Sequence, residues 1–225
     1  MAIMLGEKLA GSEAAFAVRM TETAKRLGMT RSNFANASGL PDQRQVTSAR
    51  DLAVLTRAII RDFPEHATLF AMPNMKIGNR RLGSHNGLLR TFEGADGMKT
   101  GFICDSGFNI VASATRDGRR LVAVVLGEPS ADQRNVRAAA LLQHGFETFG
   151  WKTYFSSDTI ESMAVSEGAT VEPANVRKQV TAWACGNRPA KVRKAKSTRK
   201  TSSKKSTRKK SSTKATTTGT AAATP

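Results

Sequence analysis

Cysteine is scarce: Cys104 and Cys185 are the only two in 225 residues. Two cysteines do not make the disulfide framework of a small secreted fold. There is no Cys-x-x-Cys, and His66, His85 and His144 lack metal-ligand spacing, so no metal site and no organic cofactor is expected. No run approaches the roughly 20 apolar residues of a membrane span. The opening "MAIMLGEKLAGSEAAF" has no basic leader, and Glu7 and Lys8 interrupt its apolar run, so it does not read as a secretory signal. Taken by itself, the chain is expected to stay in the cytoplasm. Acidic residues and aromatics are missing from residues 188–225, which carry 13 Lys/Arg. The overall charge of +17 is therefore an average of two unlike parts, and residues 1–187 hold 22 basic and 18 acidic side chains, for +4. A near-balanced globular part carries a basic tail with almost nothing to bury, and disorder is the expectation for that tail.

The globular part has a legible order. Residues 2–10 read as a helix that begins without a capping residue. Gly11 breaks it, and Ser12 can cap a second helix to about Leu27, with Ala15, Phe16, Val18, Met20 and Ala24 as its apolar face. Gly28 is placed to stop it. "NFANASGLPD" (33–42) is loop chemistry. Ser48 and Asp51 form a capping-box-like start for a helix with Leu52, Leu55, Ile59 and Ile60 at helical spacing, ended by Pro64. "HATLFAM" predicts a helical turn, and residues 75–90 a short strand followed by a loop. "FNIVASA" (108–114), the turn Asp117-Gly118 and "LVAVVL" (121–126) predict a β-hairpin. The unbroken apolar run of its second strand predicts burial on both faces. Gly97–Phe102 is expected to pair with this hairpin as a third antiparallel strand. Ser130 opens a long helix with Val136, Ala139, Ala140, Leu142 and Phe146 inward, ending near Gly150-Trp151. "MAV" and "VTAWAC", within residues 152–187, are candidate short strands.

Lys99-Thr100-Gly101 stands on the predicted third strand. A lysine, a hydroxyl and bare backbone in a row can hold a carboxylate, but the tripeptide alone is a weak signal. Six segments in order make it specific: "AGSEAAFAVRMTETAKRLGM", "SNFANASGLP", "TSARDLAVL", "HNGLL", "GADGMKTGF" and "GFNIVASATRDGRRLVAVVLG". Together, over roughly Ala2 to Tyr154, the chain resembles the penicillin-recognising serine acyl-transferases, in particular the D-alanyl-D-alanine carboxypeptidases, or low-molecular-weight penicillin-binding proteins. The resemblance implies an α+β fold of the β-lactamase/transpeptidase type, an antiparallel sheet flanked by helices. It also implies that three motifs meet in one cleft: Ser-x-x-Lys with the nucleophile, Ser-x-Asn, and Lys-Thr-Gly. Lys99 would supply positive potential for a substrate's terminal carboxylate and Thr100 a hydrogen bond to it. Gly101 would leave room for the substrate backbone, and the Phe102 N–H would be one oxyanion donor.

The nucleophile is absent. Ser-x-x-Lys occurs at Ser197/Lys200, Ser202/Lys205, Ser206/Lys209 and Ser211/Lys214, all in the basic tail. The chemistry needs a desolvated lysine beside a buried serine, and a solvated lysine keeps its proton. Ser84-His85-Asn86 matches Ser-x-Asn by letter but falls after its family position in chain order and reads as a polar loop. Ser106 and Cys104 have no general base near them in sequence. The family places both missing motifs upstream of the segment matching Ala2–Leu9, so the N-terminal part of the domain is expected to lie before Met1.

These readings give a domain plan and a function. Residues 1–154 are expected to be a partial penicillin-binding domain, 155–187 a partly ordered linker or short strands, and 188–225 the disordered tail. The resemblance implies a serine-type carboxypeptidase of peptidoglycan metabolism, represented by a part with no catalytic residue of its own. Its implied partners are stem peptides ending in D-alanyl-D-alanine, and β-lactams. The full-length family is expected in the periplasm or otherwise outside the cytoplasm. The alternative is a non-catalytic protein binding cell-wall polymer, another anionic polymer or nucleic acid through the tail.

Overall fold

The computed structural model describes residues 1–152, 159–160, 162, 172–182 and 185–186. The N-terminal helices follow the local chemistry of the sequence. Helix α1 (Ala2–Ala10) has no side-chain cap and ends at Gly11, whose φ of 82° is left-handed. Helix α2 (Glu13–Arg26) starts where the Ser12 hydroxyl accepts from the Ala15 amide at 3.1 Å. Its buried residues are Ala17 and Ala24; of the predicted face, Ala24 is buried and Phe16 and Met20 half-buried, whereas Ala15 and Val18 face solvent.

In helix α3 (Ala49–Asp62) Ser48 accepts from the Asp51 amide at 3.1 Å. Asp51 has a different task from the return half of a capping box. It is fully buried, and Oδ2 accepts from the Arg31 amide at 2.7 Å and the Ser32 hydroxyl at 2.8 Å. It thereby fastens the segment after α2 onto the start of α3. Ala24, Met29 and Val54 close a small core between the two helices. After a turn of 3₁₀ helix at Pro64–His66 comes the short α4 (Ala67–Phe70).

Residues 75–90 form more than a strand and a loop. Strands β1 (Asn74–Ile77) and β2 (Arg80–Gly83) pair as an exposed hairpin, and α5 (Leu88–Thr91) follows. The predicted three-stranded sheet is present: β3 (Ala95–Ile103), β4 (Gly107–Arg116) and β5 (Arg119–Glu128), antiparallel in that order. Asp117 and Gly118, at φ 50° and 73°, make the tight turn between β4 and β5.

The strand buried on both faces is β4, not β5. Ile110, Val111, Ala112, Ser113 and Ala114 are all buried, because β4 is central and helices contact it from two sides. On β5, Leu126 is 41% exposed.

Helix α6 (Ala131–Lys152) covers one face of the sheet, and α3 contacts β4 and β5 as well. Leu88, Ile110, Ala112, Ala114, Ala123, Val125, Ala138 and Leu142 form the main core. Burying each larger aliphatic side chain contributes about 1.5–3 kcal/mol. The inner stripe of α6 is Arg134, Ala138 and Leu142, at intervals of four, while Val136 is 70% exposed and Ala140 also faces solvent.

Cys104 and Cys185, too few for a framework, are bonded to each other across 81 positions of sequence. Residues 180–182 of "VTAWAC" are not in a strand, though Val180 is fully buried. "MAV" at 163–165 and the tail from 188 lie outside the described residues. Among the described residues no helix is long and apolar enough to cross a membrane, and no group of three or more His, Cys, Asp or Glu is arranged to hold a metal.

Candidate functional site

The strand carrying Lys99, Thr100, Gly101 and Phe102 is an edge. Among the described residues strand β3 pairs with β4 alone, with Lys99 opposite Val111, Thr100 opposite Ile110, Gly101 opposite Asn109 and Phe102 opposite Phe108. Its other side presents backbone N–H and C=O groups that an extended ligand can pair with. Alternation puts Lys99 and Gly101 on one face and Thr100 and Phe102 on the other. Lys99 and Gly101 are exposed and Thr100 is half-buried. A Cβ built on Gly101 would meet nothing within 4 Å, so the backbone there is open to close approach. Lys99 Nζ donates to the Thr100 carbonyl oxygen at 2.6 Å, which keeps the ammonium beside the strand. The Phe102 ring stacks on Phe108 at a centroid distance of 4.2 Å and stiffens the end of the strand.

The start of β3 is held by residues outside the Lys-Thr-Gly triplet. Asp96 accepts from the Ser113 hydroxyl at 2.5 Å and the Thr115 hydroxyl at 2.6 Å. It also pairs with Arg120, whose Nη2 lies 3.0 Å from Oδ2. Buried Asn86 donates from Nδ2 to the Gly97 carbonyl at 3.1 Å and accepts from the Leu88 amide at 3.1 Å. The Ser84-His85-Asn86 match to a catalytic motif is thus accounted for as a clamp on β3. Arg134 supports it from α6 by donating to the His85 carbonyl at 2.9 Å. Burial pushes the Arg134 guanidinium below its ordinary value, with the Asp132 charge opposing that shift.

At the far end, Asn109 accepts from the Gly127 amide at 2.9 Å and donates to the Ser106 hydroxyl at 2.9 Å, fixing the β3–β4 turn against β5. Sequence reading missed Asp96, Asn86 and Asn109 as positioning residues. The available signal was a lone polar residue inside or beside an otherwise apolar strand, which must find partners if buried.

Beyond that turn lies a cleft of about 1020 Å³. It is bordered by residues 41–46, by Ile103, Asp105 and Ser106, and by residues 172–175. On its rim Asp42 accepts from the Arg44 Nε at 3.0 Å and its backbone amide at 2.8 Å. Those bonds hold the Asp42 carboxyl at about 2, below its ordinary 3.8. Among the described residues, no serine of the folded part sits one helical turn before a lysine.

The comparisons with known proteins agree on one kinship. The family model for D-alanyl-D-alanine carboxypeptidase matches residues 1–130. A curated relative from Haemophilus influenzae, the D-alanyl-D-alanine carboxypeptidase DacA, is 36% identical over 170 residues, which cover 74% of this chain and 43% of that protein. Penicillin-binding protein 5 from the same organism superposes with a TM-score of 0.62 at 36% identity, over 64% of this chain and 43% of that one. Penicillin-binding protein D2 of Listeria monocytogenes, solved in an ampicillin-bound form, gives 0.60 at 34% identity, over 64% and 60%. The chain thus spans less than half the length of the Haemophilus relative.

Proposed function

Because the chain belongs to the D-alanyl-D-alanine carboxypeptidases of peptidoglycan metabolism, we propose that β3 is the substrate strand of a serine-type carboxypeptidase cleft. The observation that carries this reading is an edge strand with an exposed Lys99 and open space at Gly101. Lys99 attracts the terminal carboxylate of a D-alanyl-D-alanine peptide and Thr100 donates to it. The peptide backbone lies along Gly101, and the Phe102 N–H faces the scissile carbonyl oxygen. In the whole enzyme a serine oxygen attacks that carbonyl and the terminal D-alanine leaves with a proton on its nitrogen. Water then hydrolyses the acyl-serine.

These 225 residues do not supply that serine, and on this reading the chain is inactive by itself. The exposed apolar side chains support its being part of a larger domain. Met4, Leu5, Leu9 and Val18 are 70%, 61%, 60% and 59% exposed on α1 and α2. Beside them a groove of about 310 Å³ is lined by Phe16, Met20 and Leu27. Contiguous apolar surface of this kind marks an interface. The surface lacking cover is therefore on α1 and α2 more than on the β4–β5 hairpin. The Cys104–Cys185 bond supports a site of action outside the cytoplasm, where disulfides persist.

The test is equilibrium binding of an N-acetylated D-alanyl-D-alanine peptide to the chain and to Lys99→Ala. Binding lost in the variant supports the assignment; equal binding sinks it. A second reading rests on the 13 basic residues and no acid of 188–225. They would bind an anionic polymer electrostatically, with a log–log salt slope of about −0.9 per DNA phosphate neutralised. Binding that survives both high salt and removal of residues 188–225 excludes it.

A further inference from the structure

We propose that residues 172–182, together with Cys185, are a wall of the substrate cleft, and that Cys104 and Cys185 are the positioning pair that holds this wall beside the substrate strand. The inference rests on the reading of β3 as the substrate strand. With the terminal carboxylate at Lys99–Thr100 and the scissile carbonyl at Phe102, the peptide upstream of the scissile bond continues past Ile103, Cys104 and Asp105. Of these, Ile103 and Asp105 border the cleft of about 1020 Å³, whose lining also includes Glu172, Pro173, Ala174 and Asn175.

The wall is fastened at several points, all close to the turn after β3. The disulfide joins Cys104, two residues beyond Phe102, to Cys185. Asp105 takes three bonds: its carbonyl accepts from the Val176 amide at 2.9 Å, and Oδ1 accepts from Asn175 Nδ2 and Arg177 Nη1, each at 3.3 Å. Thr181 donates from its amide at 3.0 Å and its hydroxyl at 3.1 Å to the Pro129 carbonyl. Val180 is fully buried. Val176 packs on the turn so closely that a Cβ on Gly107 would lie 2.9 Å from its Cγ2. The last residues of the substrate strand and the wall are thus one fixed unit, with a covalent bond at its centre.

The geometry separates two ligand lengths. A peptide that begins at the penultimate D-alanine and ends at the terminal one reaches only Lys99–Phe102. A longer peptide ending in D-alanyl-D-alanine also runs into the cleft and touches the wall. Opening the disulfide adds two electrons and two protons, gives two thiols and frees the wall without touching Lys99.

The experiment measures affinity for N-acetyl-D-alanyl-D-alanine and for a pentapeptide ending in D-alanyl-D-alanine. It uses the full chain, oxidised, reduced by a small dithiol, and as C104S/C185S. Hydrogen exchange is followed in parallel at residues 99–108 and in α3. Reduction should weaken the pentapeptide about tenfold, leave the short ligand unchanged, and speed exchange at 103–108 more than in α3. Reoxidation should restore both readouts, and C104S/C185S should behave as the reduced chain. Equal losses for both ligands, no loss for either, or exchange in α3 speeded as much as at 103–108 would overturn the proposal. If the oxidised chain binds neither peptide, the substrate-strand reading fails, and unchanged exchange at 103–108 would then overturn the wall on its own.

Discussion

Asn86 donates its side-chain amide to the Gly97 carbonyl at 3.1 Å, so a residue outside the sheet fixes the strand that carries Lys99 two positions further on. Asn86 is 3% exposed and its oxygen is also used, by the Leu88 amide. Asn86→Ala leaves a buried carbonyl and a buried amide without partners. It should cost about 1–3 kcal/mol in urea or thermal unfolding. Faster hydrogen exchange should be concentrated at the start of β3. An unchanged midpoint would show that the bond contributes nothing.

Two glycines near the site should answer substitution in opposite ways. Gly101→Ala meets empty space and should leave the unfolding midpoint unchanged while weakening binding of a D-alanyl-D-alanine peptide. Gly107, at φ 69° with the Glu128 carbonyl oxygen 2.8 Å from where a Cβ would sit, has room for no side chain. Gly107→Ala should destabilise by more than about 1 kcal/mol. A stability loss in Gly101→Ala, or none in Gly107→Ala, contradicts the roles given to them.

The rim of the cleft should respond to acid. Asp42 is held at about 2, below its ordinary 3.8, chiefly by the Arg44 side chain. A lowered carboxyl stabilises the folded loop fully above its ordinary value, and that contribution is lost as pH falls through the folded value. The clamp should therefore contribute in full from pH 5 to 8, contribute progressively less between about pH 4 and pH 2, and open only as Asp42 protonates near 2. Arg44→Ala should raise Asp42 toward its ordinary 3.8, the remaining bond from the backbone amide of residue 44 still holding it somewhat below. Carboxyl-carbon NMR titration of the chain and the variant reads this directly, and an identical titration in both would refute it.

Removing the disulfide should matter for stability as well as for the cleft. It closes a loop of 81 positions, and constraint of the unfolded chain over such a length stabilises by about 2–5 kcal/mol. C104S/C185S should show that loss in denaturant unfolding. A midpoint equal to that of the oxidised chain would place Cys104 and Cys185 outside the folded unit.

Most of the scaffold of the site was legible because it is locally encoded. Ser12 and Ser48 cap where their residue types say they should, and Asp117-Gly118 turns the hairpin as its conformational preference dictates. The Lys-Thr-Gly strand was found by its ordered neighbours and not by periodicity. Less was legible where a residue's partner is distant in sequence. Nothing near Asp96 announces Ser113, Thr115 or Arg120, and nothing near Cys104 announces Cys185. Burial of β4 rather than β5 depended on which strand is central, and that is a property of pairing. On α6, the long Arg134 took an inner position because the His85 carbonyl was there to receive it, which apolar spacing cannot show.

On the proposed reading, the chain holds the substrate strand of a carboxypeptidase site without its nucleophile. The purified full chain, oxidised, should be incubated with a molar excess of fluorescent penicillin, denatured, and examined for covalent label. No label above that of a heat-unfolded control is predicted, because among the described residues no serine sits one helical turn before a lysine that could take its proton. Stoichiometric labelling that disappears in Lys99→Ala would contradict the account, by revealing a complete acylating site within these 225 residues.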